Sequence, residues 1–193
     1  AKEVTVRLDN PGKSPVIIQT WIDKGDPKAA PESIHVPFSI TPPIGRINAG
    51  KGQTLRIGFL GEKLPTDKES VYWLNVLEVP AKSTSTTGDN YLQLTFRSRI
   101  KLFYRPDGLQ GAANTAVNSL QWTSNGKVLQ ASNPTPYYVS LAFVEVNGQK
   151  VEGKMVAPGG QQNFSISSNP GSTITGTYVN DYGAVREFKS ASN

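Results

Sequence analysis

Cysteine is absent from the 193 residues, and there is a single histidine, His35. No disulfide framework, thiolate zinc site or cysteine nucleophile can therefore be built. One imidazole leaves almost no material for a histidine-based metal site or triad. On its strand-like stretch His35 reads as a surface histidine. Long apolar runs are also missing: none approaches the ~18 residues a transmembrane helix needs, so no membrane insertion is expected. The first residues already alternate, Val4 and Val6 against Thr5 and Arg7, which is not the pattern of a signal peptide. Phosphate loops, dinucleotide fingerprints, HExxH and GxSxG are all absent. The expectation is no catalytic residue, no metal and no cofactor.

Charge is present but not concentrated. Lys and Arg number 20 against 15 Asp and Glu, a formal balance of +5. A nucleic-acid binder normally shows a basic stripe with interleaved aromatics. Here only the segment Arg97 to Arg105, with Arg97, Arg99, Lys101 and Arg105, comes close. No nucleic-acid partner is expected.

What the chain does contain is period-two alternation and turns. Val4, Val6 and Leu8 alternate before Asp9-Asn10-Pro11-Gly12. Strand patterns recur over Val16–Trp21, Ile34–Ile40, Thr54–Phe59, Val71–Val79 and Tyr91–Tyr104. Pro37 inside the second of these demotes it to an edge or broken strand. Pro80 to Asn90 is polar and reads as a short loop. Shorter strands follow at Leu120–Trp122, Val128–Ala131, Tyr138–Val146, Lys154–Val156, Gln162–Ile166 and Thr173–Val179, with Asn147-Gly148 as a two-residue hairpin turn. The expected fold class is all-β, two β-sandwich domains over 1–106 and 112–193, joined by a linker at 107–111.

The Tyr91–Leu102 segment is amphipathic across its two faces. Leu92, Leu94, Phe96, Ser98, Ile100 and Leu102 form one row, and Tyr91, Gln93, Thr95, Arg97, Arg99 and Lys101 the other. Two readings fit this pattern: a core strand with a wet outer face, and a strand whose apolar row is offered to another chain by β-augmentation.

Leu64-Pro65-Thr66-Asp67-Lys68-Glu69-Ser70-Val71-Tyr72-Trp73-Leu74-Asn75 resembles the Leu-Pro-x-Asp-Arg-Glu-Ser-x-Phe-x-x-Asn pattern of the periplasmic pilus-assembly chaperones of the chaperone–usher family. Ile100 to Pro106, Asn133-Pro134-Thr135-Pro136-Tyr137-Tyr138, Asn180-Asp181-Tyr182-Gly183, and Thr41-Pro42-Pro43 with Arg46 match further signatures, in order. The resemblance implies two immunoglobulin-like domains at an angle, in a boomerang. It implies a periplasmic chaperone, without catalysis, that holds pilus subunits by donor-strand complementation and delivers them to the outer-membrane usher. By position, Leu92, Leu94 and Phe96 match the donating residues. Lys101 matches the cleft lysine that binds the subunit's C-terminal carboxylate. Glu69, Arg105 and Asp181 match an interdomain ionic triad. The short loop at 80–90 matches the short-loop class that assembles rod-like pili. The family's first strand, with a cleft Arg, has no counterpart in this sequence, and Arg7 sits in the wrong context to replace it. Flat alternation places Lys101 on the face opposite Leu92, so a bulge, a strong twist or a cleft reached from the other face is required. The competing reading is a two-domain immunoglobulin-like adhesion or receptor-binding module working through end loops. The basic segment on a long alternating strand sets the two readings apart.

Overall fold

The computed structural model describes residues 3–80 and 94–193. The chain divides into two compact units: 1–64 with 71–104, and 65–70 with 105–193. The second unit begins at Arg105, so the stretch 107–111 is part of it. Leu109 packs on its core, and the Tyr137 hydroxyl donates to the Gly111 carbonyl at 3.0 Å.

Among the described residues, the regular structure of the first unit is strand apart from a 3-10 turn at Pro31–Ser33. Its strands are β1 (Glu3–Asp9), β2 (Val16–Asp23), β3 (Phe38–Thr41), β4 (Ile44–Ile47), β5 (Gly52–Phe59), β6 (Ser70–Pro80) and β7 (Phe96–Tyr104). They form two antiparallel sheets, ordered β1-β5-β3 and β4-β2-β6-β7. The alternation read from the sequence becomes the sheet faces. Ile18 and Ile22 of β2, Tyr72 and Leu74 of β6, and Leu55 and Ile57 of β5 are buried together between the sheets. Pro37 is buried but outside the ladder. Strand β3 starts one residue later and lies at a sheet edge, because proline has no N–H to donate.

The expected strand over Tyr91–Tyr104 is described from Phe96 onward. Leu94 and Thr95 precede it without strand pairing, and residues 91–93, Leu92 among them, lie outside the described residues; of the stretch 80–90 expected as a loop, Pro80 ends β6 and 81–90 lie outside the described residues as well.

The second unit packs β8 (Gln121–Ser124), β9 (Leu129–Ser132), β10 (Val139–Val146), β11 (Gln149–Glu152), β12 (Met155–Val156), β13 (Gln161–Phe164), β14 (Thr173–Val179) and β15 (Val185–Ala191). One sheet runs β13-β9-β8. The other runs β11-β10-β14-β15, with β12 also on β10. Trp122, Leu129, Val144, Phe164 and Ile174 fill the space between them. Asn147 and Gly148 both take positive φ, 51° and 77°, which is the two-residue hairpin their sequence specifies. Strands β4 and β15 are not evident from the sequence. Gly45 interrupts the first, and in the second only Phe188 is buried, so neither shows an apolar alternation. Each unit is an immunoglobulin-like sandwich, and the chain is all-β.

Candidate functional site

Two sets of side chains stand out, one in each unit. In the second, Arg105 joins the two carboxylates that the motifs single out. Its Nε donates to Glu69 Oε1 at 2.6 Å, and its Nη1 and Nη2 donate to Asp181 Oδ2 and Oδ1 at 2.8 and 3.0 Å. The local chain explains why these groups meet. Asn133 is fully buried; its amide donates to the carbonyls of Tyr137 and Val156, and its Oδ1 accepts from Thr135 N–H. That closes the Asn-Pro-Thr-Pro-Tyr loop on itself. The loop presents the Pro136 carbonyl to Glu69 N–H and the Tyr138 N–H to Glu69 Oε2 at 2.7 Å. Asn180 does the same for its own turn, accepting from the N–H groups of Tyr182 and Ala184. Asp181 is thereby held outward, with its N–H on Asn114 Oδ1. Hydrogen bonds to Asp181 and Glu69 hold the Arg105 pKa above its ordinary value, against an opposing cost of burial. Glu69, Arg105 and Asp181 all belong to the second compact unit, because the excursion 65–70 packs there.

In the first unit, β7 occupies the end of the four-stranded sheet, next to β6. Its inward row is only half covered. Phe96 is 62% exposed and Ile100 52%, and the preceding Leu94 is 55% exposed. These are core-type residues left on the surface. Phe96, Ser98 and Ile100 line a groove of about 660 Å³, opposite Val6 and Leu8 of β1, whose floor is Ile18, Ile47, Leu74 and Val76. Among the described residues the sandwich is therefore open between the edge strands β1 and β7. An apolar groove beside an unpaired strand edge is a surface that another strand can complete.

The outward row of β7 is cationic. Arg97 donates to the Pro27 carbonyl at 2.8 Å. Arg99 forms a bidentate pair with Asp23, at 2.6 and 3.0 Å, and its guanidinium lies 4.7 Å from the centre of the Trp73 ring. Burial pushes the Asp23 carboxyl up, but bonds from Arg99, Asn75 and Gly25 outweigh it and leave its pKa below the ordinary carboxylate value. Lys101 follows two residues later. It is exposed overall, yet desolvation of its ammonium lowers its pKa from 10.5. The apolar row and Lys101 thus occupy opposite faces of β7, as alternation requires. Nothing in the sequence pairs Asp23 with Arg99, which reads there only as one cation of a basic segment.

His35 is exposed, with Nε2 at 3.2 Å from Glu62. Among the described residues no cluster of His, Asp and Glu could hold a metal ion, and no helix is long and apolar enough to cross a membrane.

Residues 1–110 match the family described as pili and flagellar-assembly chaperone, PapD N-terminal domain, and residues 115–190 match the pili assembly chaperone PapD, C-terminal domain. The chaperone protein FimB/FhaD of Bordetella pertussis is 44% identical over 199 residues, covering 98% of this chain and 81% of that protein. The probable fimbrial chaperone YadV of Escherichia coli is 43% identical over 201 residues, covering 96% of this chain and 82% of that one. Among solved structures, the CupB2 chaperone of Pseudomonas aeruginosa superimposes with a TM-score of 0.86 at 39% identity, covering 100% of this chain and 94% of that one. The SafB chaperone of Salmonella enterica, solved in complex with the SafA pilin, gives 0.84 at 28% identity, covering 97% of this chain and 88% of that one. The chain belongs to the family of fimbrial chaperones that assist pilus assembly.

Proposed function

We propose that this chaperone holds a pilus subunit by lending it β7 as an additional strand. The observation that carries the reading is the exposed apolar row, Phe96 and Ile100 of the edge strand β7 with Leu94 just before it, beside an open groove. A subunit that lacks one strand of its own sandwich has the complementary defect, an apolar groove and unpaired ladder groups. Adding β7 pairs that edge and covers that groove; this is β-augmentation, of which pilin donor-strand complementation is a known case. Each large apolar side chain so buried contributes about 1.5–3 kcal/mol. Leu92 extends the same row by sequence alternation.

Lys101 anchors the subunit's C-terminal carboxylate through a charge-assisted hydrogen bond. The anchor fixes where the added strand ends, which alternating apolar residues alone do not do. Glu69, Arg105 and Asp181 are the counterpart of the family's ionic triad. The proposed setting is the periplasm, with the outer-membrane usher as the next partner and no catalytic step. Family membership at this identity favours the chaperone over an adhesion or receptor-binding module.

Co-expression with a fimbrial subunit tests the reading. The expected result is a soluble one-to-one complex that Phe96→Asp abolishes while the variant chaperone still folds. A complex that survives Phe96→Asp at full yield refutes it.

A further inference from the structure

The outward row of β7 places Arg97, Arg99 and Lys101 at two-residue spacing. A strand that covers the Leu94–Ile100 row and ends at Lys101 runs parallel to β7. Sliding it back by two residues, about 7 Å, keeps its apolar side chains on the correct face. Alternation therefore permits registers ending at Lys101, Arg99 and Arg97. The last leaves the Ile100 end of the row uncovered, but a terminus at Arg99 loses only one residue pair of the row. An uncompensated Arg99 would attract the carboxylate to that register.

The cluster around Arg99 has that property. Its guanidinium reaches across β6, over Trp73, to Asp23 at the end of β2. The Asp23 side chain is 2% exposed and that of Arg99 22%. The remaining capacity of the carboxylate is taken by the Gly25 N–H at 2.6 Å and the Asn75 amide at 2.7 Å. Gly25 has φ of 122°, and a Cβ there would lie 3.1 Å from the Trp73 ring, so the turn that delivers its N–H is a glycine turn. The charge of Arg99 is thus compensated by a carboxylate that is itself fixed from three sides.

We propose that Asp23 is a positioning residue that sets the register of the added strand: by neutralising Arg99 it takes the middle cation of the row out of competition and leaves the subunit's terminus to Lys101. This rests on Lys101 being the carboxylate anchor. Specificity here is a difference between two registers that differ in apolar burial only at Ile100, and removing an attractive competitor widens that difference as strengthening the correct contact would.

Disulfide trapping tests it, since the chain has no cysteine of its own. The probe is a synthetic peptide of alternating valine and threonine, with a cysteine beside its last residue and a free C-terminal carboxylate; its C-terminal amide is the control. The peptide thiol sits beside Ile100 when the terminus is at Lys101, and beside Ser98 when it is at Arg99. Trapping by Ile100→Cys is expected to exceed trapping by Ser98→Cys by about tenfold, the discrimination one charge-assisted bond supports. Asp23→Asn should lower that ratio by about threefold or more, because a second cation then competes for the terminus. Adding Arg99→Gln to Asp23→Asn should restore the preference for Ile100→Cys, which a merely mechanical role for the clamp would not do. With Asp23 intact, Lys101→Gln should abolish the advantage of the acid over the amide at both positions. Transfer of that advantage to Ser98→Cys overturns the proposal even if Asp23→Asn fails to fold. An acid-dependent preference for Ile100→Cys that Asp23→Asn leaves unchanged overturns it as well. Equal trapping of acid and amide in the chain with Asp23, Arg99 and Lys101 intact overturns the anchor reading instead.

Discussion

Arg105 presents both ends of its guanidinium fork to Asp181, at 2.8 and 3.0 Å, and keeps its Nε for Glu69 at 2.6 Å. The two carboxylates are not equivalent. The Glu69 side chain is 1% exposed and also accepts the Tyr138 N–H, while that of Asp181 is 32% exposed. Glu69→Ala leaves the part-buried Tyr138 N–H and the Arg105 Nε–H without their acceptor. It should cost about 3 kcal/mol, the low end for a broken buried pair because Arg105 is itself part-exposed. Asp181→Ala should cost about 1 kcal/mol or less, as for exposed pairs. Urea midpoints of the two variants check the order; equal losses would mean that burial does not set the hierarchy.

The donor row should separate binding from folding. Phe96 is mostly exposed, so Phe96→Asp should change unfolding free energy by only about 0.5 kcal/mol. The same charge buried in a subunit's groove is unpaired and costs several kcal/mol, about 3 or more. Leu74, on the floor of the groove and 2% exposed, is the control. Leu74→Ala should cost about 2–5 kcal/mol of stability. Thermal melts of both variants, together with pull-down of a fimbrial subunit, read the two effects apart.

Lys101 should make subunit binding sensitive to alkali. Desolvation holds its pKa below 10.5, and a bound carboxylate favours the protonated form and raises it. Affinity is therefore full while Lys101 is protonated in the unbound chaperone, and falls as pH rises through that lowered pKa. Lys101→Ala should weaken binding by about 1.5–3 kcal/mol at neutral pH, roughly tenfold to somewhat over a hundredfold, and should flatten the profile. Amidating the C-terminus of a subunit peptide should cost about the same, and the two changes together little more than either alone. Additive losses in titration calorimetry would show that the two groups do not meet.

Asp23 should contribute to acid unfolding of the first unit. Its carboxyl in the folded chain lies below the ordinary 3.8, so near that pH the unfolded chain binds more protons and stability rises with pH. The contribution is complete above about 3.8, the unfolded value, and is lost as pH falls through the folded value. Asp23→Asn should remove this part of the acid slope. Parallel urea titrations at neutral pH and near pH 3 should converge for the variant relative to the parent chain; a parallel offset at both would exclude the linkage.

The sequence by itself determined what is local. Period-two alternation follows from the pleat, so the all-β class and most strands could be read residue by residue, and Pro37 and Asn147-Gly148 marked a strand limit and a hairpin through their own backbone chemistry. The ordered motifs carried the family, and with it the expectation for Glu69, Lys101 and Arg105. Tertiary structure decided what depends on partners distant along the chain. Nothing in the alternation of Phe96 to Leu102 says whether another strand lies beyond it; the sheet order places β7 at the edge and leaves Phe96 and Ile100 exposed. Nor does spacing announce that Asp23 and Arg99, 76 positions apart, meet across β6. A side chain's period is a property of its own backbone, whereas edge position, burial and charge pairing belong to the whole sheet, and exist only once the chain has closed on itself.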